Sequence, residues 1–238
     1  MTSGRYRVRR ILAALVALGS LATWLILNPK SYEAEPIAAS SDPVAVDPND
    51  DTLAINVLET LPIKGRAPKT GYARTEFYQT WPTVDGCNLR QRIIKREVGD
   101  SAKLDGCDVV GGTFTEAYTG EVRAYTTKAE FSKHIQIDHI VALSDAWQKG
   151  AQNLTTKRRY ELATDPLNLI AADSSANQQK SDGDAATWLP KNKAFRCQYV
   201  ARQVSVKSKY SLWVTQAEHD AITKVLSACP NEKAIGLE

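Results

Sequence analysis

Two stretches of the sequence decide the fold that we expect. Residues 133–143 read KHIQIDHIVAL, and residues 165–182 read DPLNLIAADSSANQQKSD. In the first stretch, Ile135 and Ile137 alternate with polar residues, which is the period of a strand with one buried face. The second stretch opens with a short apolar run, typical of a buried strand, and continues into a short helical pattern. Together they predict a strand–strand–helix core over about 133–182 in an α+β domain.

Polar side chains in this core can support phosphodiester hydrolysis, which needs a base for the attacking water and a cation for the developing charge. His139 is a candidate base, because an unperturbed imidazole has a pKa of about 6.5. Asp138 and Asn177 offer the hard oxygen ligands that Mg²⁺ or Mn²⁺ prefers. Adjacent strand residues point to opposite faces, so the Asp-His pair can serve one site only if the strand ends there.

The spacing of these residues resembles a known nuclease motif. Asp138-His139, then Asn168, Asn177 nine residues later and Lys180 one helical turn beyond resemble the His–Asn–His, or ββα-metal, motif, in particular that of RNA-guided DNA endonucleases. More widely, residues 75–229 resemble secreted bacterial HNH proteins related to the C-terminal domain of GmrSD-type modification-dependent restriction endonucleases. The shared segments include Asp145-Ala-Trp147, Asp165-Pro-Leu-Asn168, Trp188-Leu-Pro190 and Cys197-x-Tyr199.

The resemblance implies a ββα-metal (His-Me finger) core and a role for each matching residue. His139 is expected to be the general base, with Asp138 and Asn177 as metal ligands. Asn168 is expected to orient the base or to brace the loop between the strands. Lys180 is expected to neutralise a phosphate oxygen. Because the last motif position is Asn177 rather than a second histidine, a magnesium-like ion is favoured over zinc or nickel, and catalysis depends on one histidine.

Other polar and aromatic residues have two readings. Arg158 and Arg159 either bind substrate phosphates or lie on a solvated helix face. Trp147 and Trp188 either stack on bases or pack in the core. His134 is expected on the exposed face of the strand over 133–139, where a substrate contact is the alternative.

The four cysteines, Cys87, Cys107, Cys197 and Cys229, form no Cys-x-x-Cys pair. An even number in an exported chain indicates two disulfides, for which three connectivities exist. Pairing of neighbours along the chain, Cys87 with Cys107 and Cys197 with Cys229, is the simplest. A zinc site built from the four is the alternative.

The N-terminus predicts export. Four arginines within residues 5–10 precede an uncharged segment over 11–27, which indicates a signal peptide or a signal anchor over 1–29. An acidic, Pro- and Ser-containing linker over 30–51 follows, and then one domain over 52–238. Five of the 30 basic residues lie in 1–30 and six of the 27 acidic residues in 31–51, so the domain carries 25 basic and 21 acidic side chains. This small excess suits a polyanion without requiring one.

The sequence therefore predicts an extracytoplasmic, metal-dependent endonuclease, secreted or anchored to the outer face of the bacterial cytoplasmic membrane. We expect Mg²⁺ or Mn²⁺ as cofactor, nucleic acid as substrate (DNA rather than RNA) with weak base specificity, and a monomer. One alternative is an inactive nucleic-acid or envelope-binding module on the same fold. Another is a metallohydrolase that acts on a different phosphodiester or on a wall polymer.

Overall fold

The structure, a computed structural model, describes residues 50–236. The predicted signal segment and nearly all of the predicted linker lie outside these residues. The described residues 50–236 belong to one compact unit. The helices are α1 (Ala54–Thr60), α2 (Leu89–Val98), α3 (Lys128–His134), α4 (Leu143–Gln148), α5 (Thr156–Thr164), α6 (Ser174–Lys180), α7 (Arg196–Lys209) and α8 (Gln216–Leu226). Among the described residues, no helix has the length and apolar character needed to cross a membrane.

The strands are β1 (Thr83–Val84), β2 (Cys87–Asn88), β3 (Lys103–Asp105), β4 (Asp108–Thr115), β5 (Val122–Tyr125), β6 (Ile135–His139) and β7 (Leu169–Asp173). They pair as a β1–β2 hairpin, a β3–β4–β5 sheet and a β6–β7 ribbon. This mixture of helices and separate antiparallel sheets confirms the α+β class.

The ribbon and the helix that follows it form the strand–strand–helix unit expected over 133–182. Strand β6 pairs antiparallel with β7, so that Ile135 lies opposite Asp173 and His139 opposite Leu169. Helix α6 begins directly after β7, because the Asp173 carboxylate caps it. Its Oδ1 accepts hydrogen bonds from the backbone N–H groups of Ser175 and Ala176 at 2.9 and 3.1 Å.

The two faces of the ribbon have different neighbours. On one face, four side chains pack in a core cluster with α2: Ile135, Ile137, Leu169 and Ala171. On the other face, Ile170 and Ala172 of β7 join a second cluster with α7. The same face of β6 carries Gln136 and Asp138, which contact α6. The alternation read from the sequence therefore holds, and it turns the polar side chains of β6 toward the helix.

The strand expected over 133–139 is wrong at its start. Helix α3 continues through His134, and β6 begins only at the next residue. Thr127 and Glu130 form a reciprocal capping box at the start of this helix, a Thr-x-x-Glu pattern that indicates a helix in the sequence. His134 stacks on Tyr125 with 6.1 Å between ring centroids instead of lying on a strand face.

Asn168 also lies outside the strand in which we expected it. It ends a short 3₁₀ turn over Pro166–Asn168, whose first turn is capped by the Asp165 side chain. Proline at the first position of this turn fixes its backbone angle and needs no N–H partner there. Strand β7 therefore starts at Leu169, and Asn168 sits at the junction between α5 and the ribbon.

Both predicted disulfides are confirmed. Cys87 pairs with Cys107 across a Cα–Cα distance of 5.4 Å and joins the β1–β2 hairpin to the β3–β4 turn. Cys197 pairs with Cys229 across 6.4 Å and joins the start of α7 to the residues after α8. No cysteine is left free, so the four do not form the alternative zinc site.

A network of six charged side chains, five of them buried, connects the end of α4, α7, α8 and the segment after α6. We call it the ion-pair network, and its members are Arg66, Asp145, Lys149, Asp184, Lys207 and Glu218. The Lys149 Nζ is central, at 2.7 Å from both Asp145 and Asp184 and 2.6 Å from Glu218. Burial raises the pKa of Asp184, but Lys149 and Arg66 outweigh that effect and lower it to about 2. Three cations thus balance three carboxylates, and of the six side chains Arg66 alone is open to solvent, with 34% of it exposed.

Candidate active site

Asp138 lies near the end of β6 with its side chain on the face that contacts α6. Its Oδ2 accepts a hydrogen bond from the Tyr118 hydroxyl at 2.6 Å. The Lys180 Nζ lies 3.0 Å from Oδ2 and 3.2 Å from Oδ1, and it also donates to the His139 carbonyl at 2.8 Å. A carboxylate offers about four acceptor positions. Three contacts therefore leave Asp138 able to bind one more donor or a cation.

His139 follows Asp138 in the strand and turns away from it. Its Nε2 lies 2.9 Å from the Ala163 carbonyl oxygen in α5. Its ring is nearly parallel to that of Trp81, with 13° between the planes and 6.1 Å between the centroids. Because a carbonyl can only accept, Nε2 carries the proton and Nδ1 carries the lone pair. The ring is thus held in the tautomer that accepts a proton at Nδ1.

The pKa of His139 is lowered from its ordinary value to about 3. Burial is the largest cause, the charges of Arg74 and Lys180 lower the pKa further, and the bond to the Ala163 carbonyl partly offsets them. The pKa of His139 therefore differs from the ordinary imidazole value that we expected from the sequence. The imidazole is neutral at physiological pH, which agrees with the tautomer set by its hydrogen bond.

Asn168 braces the structure around His139 without a hydrogen bond to that side chain. Its Oδ1 accepts from the Val141 N–H at 2.8 Å, and its Nδ2 donates to the Val141 and Leu162 carbonyls at 3.3 and 3.2 Å. Leu162 precedes Ala163, whose carbonyl holds His139. Of the two roles considered for Asn168, these contacts match bracing of the loop. Asn168 can affect His139 only indirectly, through its hydrogen bond to Leu162 at the end of α5.

Asn177 lies on α6 opposite Gln136 of β6. The Asn177 Nδ2 donates to the Gln136 Oε1 at 2.8 Å. This bond fixes the amide so that its Oδ1, the atom that can bind a cation, is not the one facing Gln136. Gln136 was not singled out by sequence reasoning. The signal was its place two residues before Asp138, on the same face of the strand.

The predicted phosphate-binding side chains are engaged by the protein itself. Lys180 is only 1% exposed and contacts Asp138 and a backbone carbonyl. Arg158 pairs with Glu161 at 2.8 Å, and Arg159 donates to the Glu76 carbonyl at 3.0 Å. Neither arginine lines the cleft at Asp138. The structure thus makes Lys180 a partner of Asp138 and places the two arginines elsewhere.

Trp147 and Trp188 are packed against other rings, which matches the core reading. Trp147 meets Phe77 edge to face at 6.1 Å between centroids, and Trp188 meets Tyr118 in the same way at 5.0 Å. A hollow of about 620 Å³ beside Trp188 is larger than the cleft at Asp138, but it is lined by none of Asp138, His139 and Asn177. Size alone therefore does not mark the site in this domain.

A cleft of about 370 Å³ brings Asp138, His139 and Asn177 together. Its other wall is formed by the segment 69–81, which contributes Lys69, Tyr72 and Arg74. Sequence reasoning missed this wall. The signal was present in the segment KTGYARTEFYQTW, where basic and aromatic residues alternate in the manner of nucleic-acid-binding surfaces.

The donor set of this cleft fits a hard divalent cation. Asp138 and Asn177 supply oxygen atoms, and Mg²⁺ commonly binds through one or two carboxylate or amide ligands while keeping several waters. Within residues 50–236 no group of three or more His, Cys, Asp or Glu side chains could hold a metal. A zinc-type site built from three or more of these side chains is therefore absent from this part of the chain.

Comparison with known proteins places the chain in a family. The model of the family described as "GmrSD restriction endonucleases, C-terminal domain" matches residues 95–225. A protein of Arthroderma benhamiae named "Uncharacterized secreted protein" is 34% identical over 199 residues, which cover 81% of this chain and 94% of the relative. The chain belongs to the GmrSD C-terminal domain family. No solved structure matches it.

Family membership indicates a nuclease-related domain and a nucleic-acid substrate. The matched residues 95–225 include the whole strand–strand–helix unit and all five residues of the predicted motif. They do not include the segment 69–81 that forms the second wall of the cleft. The resemblance to the GmrSD C-terminal domain family that was recognised from the sequence is therefore confirmed, and the role of each site residue stays a prediction.

Proposed function

We propose that this protein is an exported, divalent-metal-dependent endonuclease that hydrolyses phosphodiester bonds of nucleic acid, with His139 as the general base. The observation that carries the proposal is the bond from the His139 Nε2 to the Ala163 carbonyl. It leaves Nδ1 free to accept a proton, on a residue that lines the same cleft as Asp138 and Asn177. We infer DNA rather than RNA as the substrate, with weak base specificity and action as a monomer.

Each side chain has a defined task in this proposal. The His139 Nδ1 accepts a proton from a water molecule that attacks phosphorus in line with the leaving 3′-oxygen. The Ala163 carbonyl and the Trp81 ring hold the imidazole in position. Asp138 and Asn177 would hold Mg²⁺ or Mn²⁺, which would supply electrostatic stabilisation of the charge that develops during hydrolysis. Tyr118 and Lys180 fix the Asp138 carboxylate, and Gln136 fixes the Asn177 amide.

Export is supported by three independent features. The N-terminus carries arginines followed by an uncharged segment. The domain has two disulfides, which form and persist in oxidising compartments. The relative from Arthroderma benhamiae is named as secreted. Whether the N-terminal segment is removed or keeps the protein at the membrane is a question that sizing the N-terminus of the exported protein answers.

A plasmid-nicking assay on the full chain tests the function. We expect cleavage with Mg²⁺ or Mn²⁺, none with EDTA, and a loss of about 10²-fold or more for His139→Ala, which is the usual contribution of a general base. Because His139 is buried, thermal melting must show that this variant is folded. Asn177→Ala, at a half-exposed position, provides a second test and is expected to raise the Mg²⁺ concentration needed for half-maximal rate.

Two results would overturn the proposal. Cleavage by folded His139→Ala at the wild-type rate removes the histidine from the chemistry. Binding of nucleic acid without cleavage under any divalent ion favours the non-catalytic binding module instead. The same purified sample, offered other phosphodiesters and wall polymers, separates a nuclease from a metallohydrolase of another class.

A further inference from the structure

Arg74 is a cation of the cleft that has no anionic partner in the part of the chain that the structure describes. Its Nε and Nη2 donate to the hydroxyl of Tyr78 at 3.1 and 2.8 Å, and its guanidinium carbon lies 5.4 Å from the centre of that ring. Within residues 50–236 it forms no salt bridge with a carboxylate. A guanidinium has five N–H donors, so at least three remain available in this structure.

The other charges of the cleft are already paired. Asp138 pairs with Lys180 at 3.0 Å, and Lys69 pairs with Asp182 at 3.3 Å. Among the described residues Arg74 is thus the one cleft charge without an oppositely charged partner, and it lines the same cleft as His139. An anion bound in the cleft would be attracted to Arg74 and would lie beside the base.

We propose that Arg74 binds a backbone phosphate of the nucleic-acid strand in the cleft and positions that phosphate beside His139. The fork of a guanidinium matches two phosphate oxygens, which makes arginine the preferred side chain for such recognition. The bond to Tyr78, whose ring centroid lies 6.1 Å from that of His139, holds the guanidinium on the same side as the base. Arg74 lies outside residues 95–225, so the family match does not assign it. This inference rests on the proposed function.

Binding measured without metal isolates this contact from the chemistry. The probe is a fluorescein-labelled 12-residue single-stranded DNA, titrated by anisotropy in EDTA with the full chain carrying His139→Ala. We expect Arg74→Ala to raise Kd about tenfold or more, as for loss of a hydrogen-bonded charge. The slope of log K against log salt concentration should fall by about 0.7, the value for one phosphate contact on a single strand. Arg74→Lys should keep the slope and recover only part of the affinity.

Two controls make the result specific. Lys157→Ala removes one positive charge from a side chain that is 86% exposed and lies outside the cleft. It should change Kd by less than about twofold and leave the salt slope unchanged, because it removes no phosphate contact in the cleft. A methylphosphonate 12-mer, which has no backbone charge, should not distinguish Arg74→Ala from the parent. Equal losses on both oligomers would mean that Arg74 only shapes the cleft, and the proposal would be wrong.

A nicking assay with Mg²⁺, on chains that keep the native His139, separates this inference from the proposed function. If the wild type cleaves DNA but Arg74→Ala leaves Kd, salt slope and kcat/KM unchanged, the phosphate site at Arg74 is wrong and the nuclease stands. If the wild type neither binds the oligomer nor cleaves DNA, the proposed function is wrong, and the phosphate site falls with it. Loss of affinity and slope for the charged oligomer alone supports the site.

Discussion

Replacing Lys149 by methionine should destabilise the domain more than any surface change. The side chain is fully buried, and its Nζ contacts three carboxylates, those of Asp145, Asp184 and Glu218, at 2.6–2.7 Å. Methionine has a similar volume, so packing is nearly kept while one of three cations is lost. A buried charge left without its partner costs about 3–5 kcal/mol. For a domain whose total stability is roughly 5–15 kcal/mol, that is a large fraction.

Urea unfolding at pH 7, followed by tryptophan fluorescence, measures this cost. Lys157→Met is the matched control, because Lys157 is 86% exposed and its contact with Glu161 is long, at 3.9 Å; it should change the free energy of unfolding by less than about 0.5 kcal/mol. In a second variant, Glu218→Gln added to Lys149→Met removes one negative charge and should recover about 1 kcal/mol or more. A cost below about 1 kcal/mol for Lys149→Met, or no recovery in the double variant, would refute the charge-balance argument.

Two further predictions follow from single contacts. Tyr118→Phe removes the hydroxyl that donates to Asp138 at 2.6 Å and should raise the Mg²⁺ concentration for half-maximal nicking about 10- to 100-fold; an unchanged Mg²⁺ dependence would assign the tyrosine to packing alone. The pKa of Asp184 in the folded protein is about 2, against an ordinary 3.8. Its ion pairs therefore stabilise the fold fully above about pH 4. This stabilisation, about 2 kcal/mol, is lost as the pH falls through about 2. Acid titration of the unfolding free energy should therefore be flatter in Asp184→Asn over this range, and equal slopes would contradict the assignment.

The ribbon and helix could be predicted from the sequence because each depends on local pattern. Alternation of Ile135 and Ile137 with polar residues set the face of β6, and the Asp173 cap set the start of α6. The errors lie at the boundaries. His134 belongs to a helix whose capping box competes with the extended pattern that follows it, and Asn168 belongs to a turn fixed by Pro166. At both places a local signal, the capping box or the proline, prevailed over the extended pattern beside it.

The contacts that tune the site could not be predicted, because they join residues far apart in sequence. Tyr118 reaches Asp138 across 20 residues, Trp81 stacks on His139 across 58, and the Ala163 carbonyl lies 24 residues beyond the histidine it holds. The pairing of Lys180 with Asp138, in place of the expected phosphate contact, also joins residues far apart in sequence. A lysine one turn after Asn177 can face solvent or the strand, and only the packing of α6 on β6 turned it toward Asp138.

The strand–strand–helix unit is therefore not sufficient for the site that it carries. Asp138 and His139 project to opposite sides of one strand, so each needs support from a different part of the domain. Asp138 receives it from the turn after β4, through Tyr118, and His139 receives it from α5 and from Trp81. The segment 69–81 also closes the cleft from the side where Arg74 lies. Since these supports come from before and between the motif strands, the activity proposed here depends on the assembled domain and not on the motif alone.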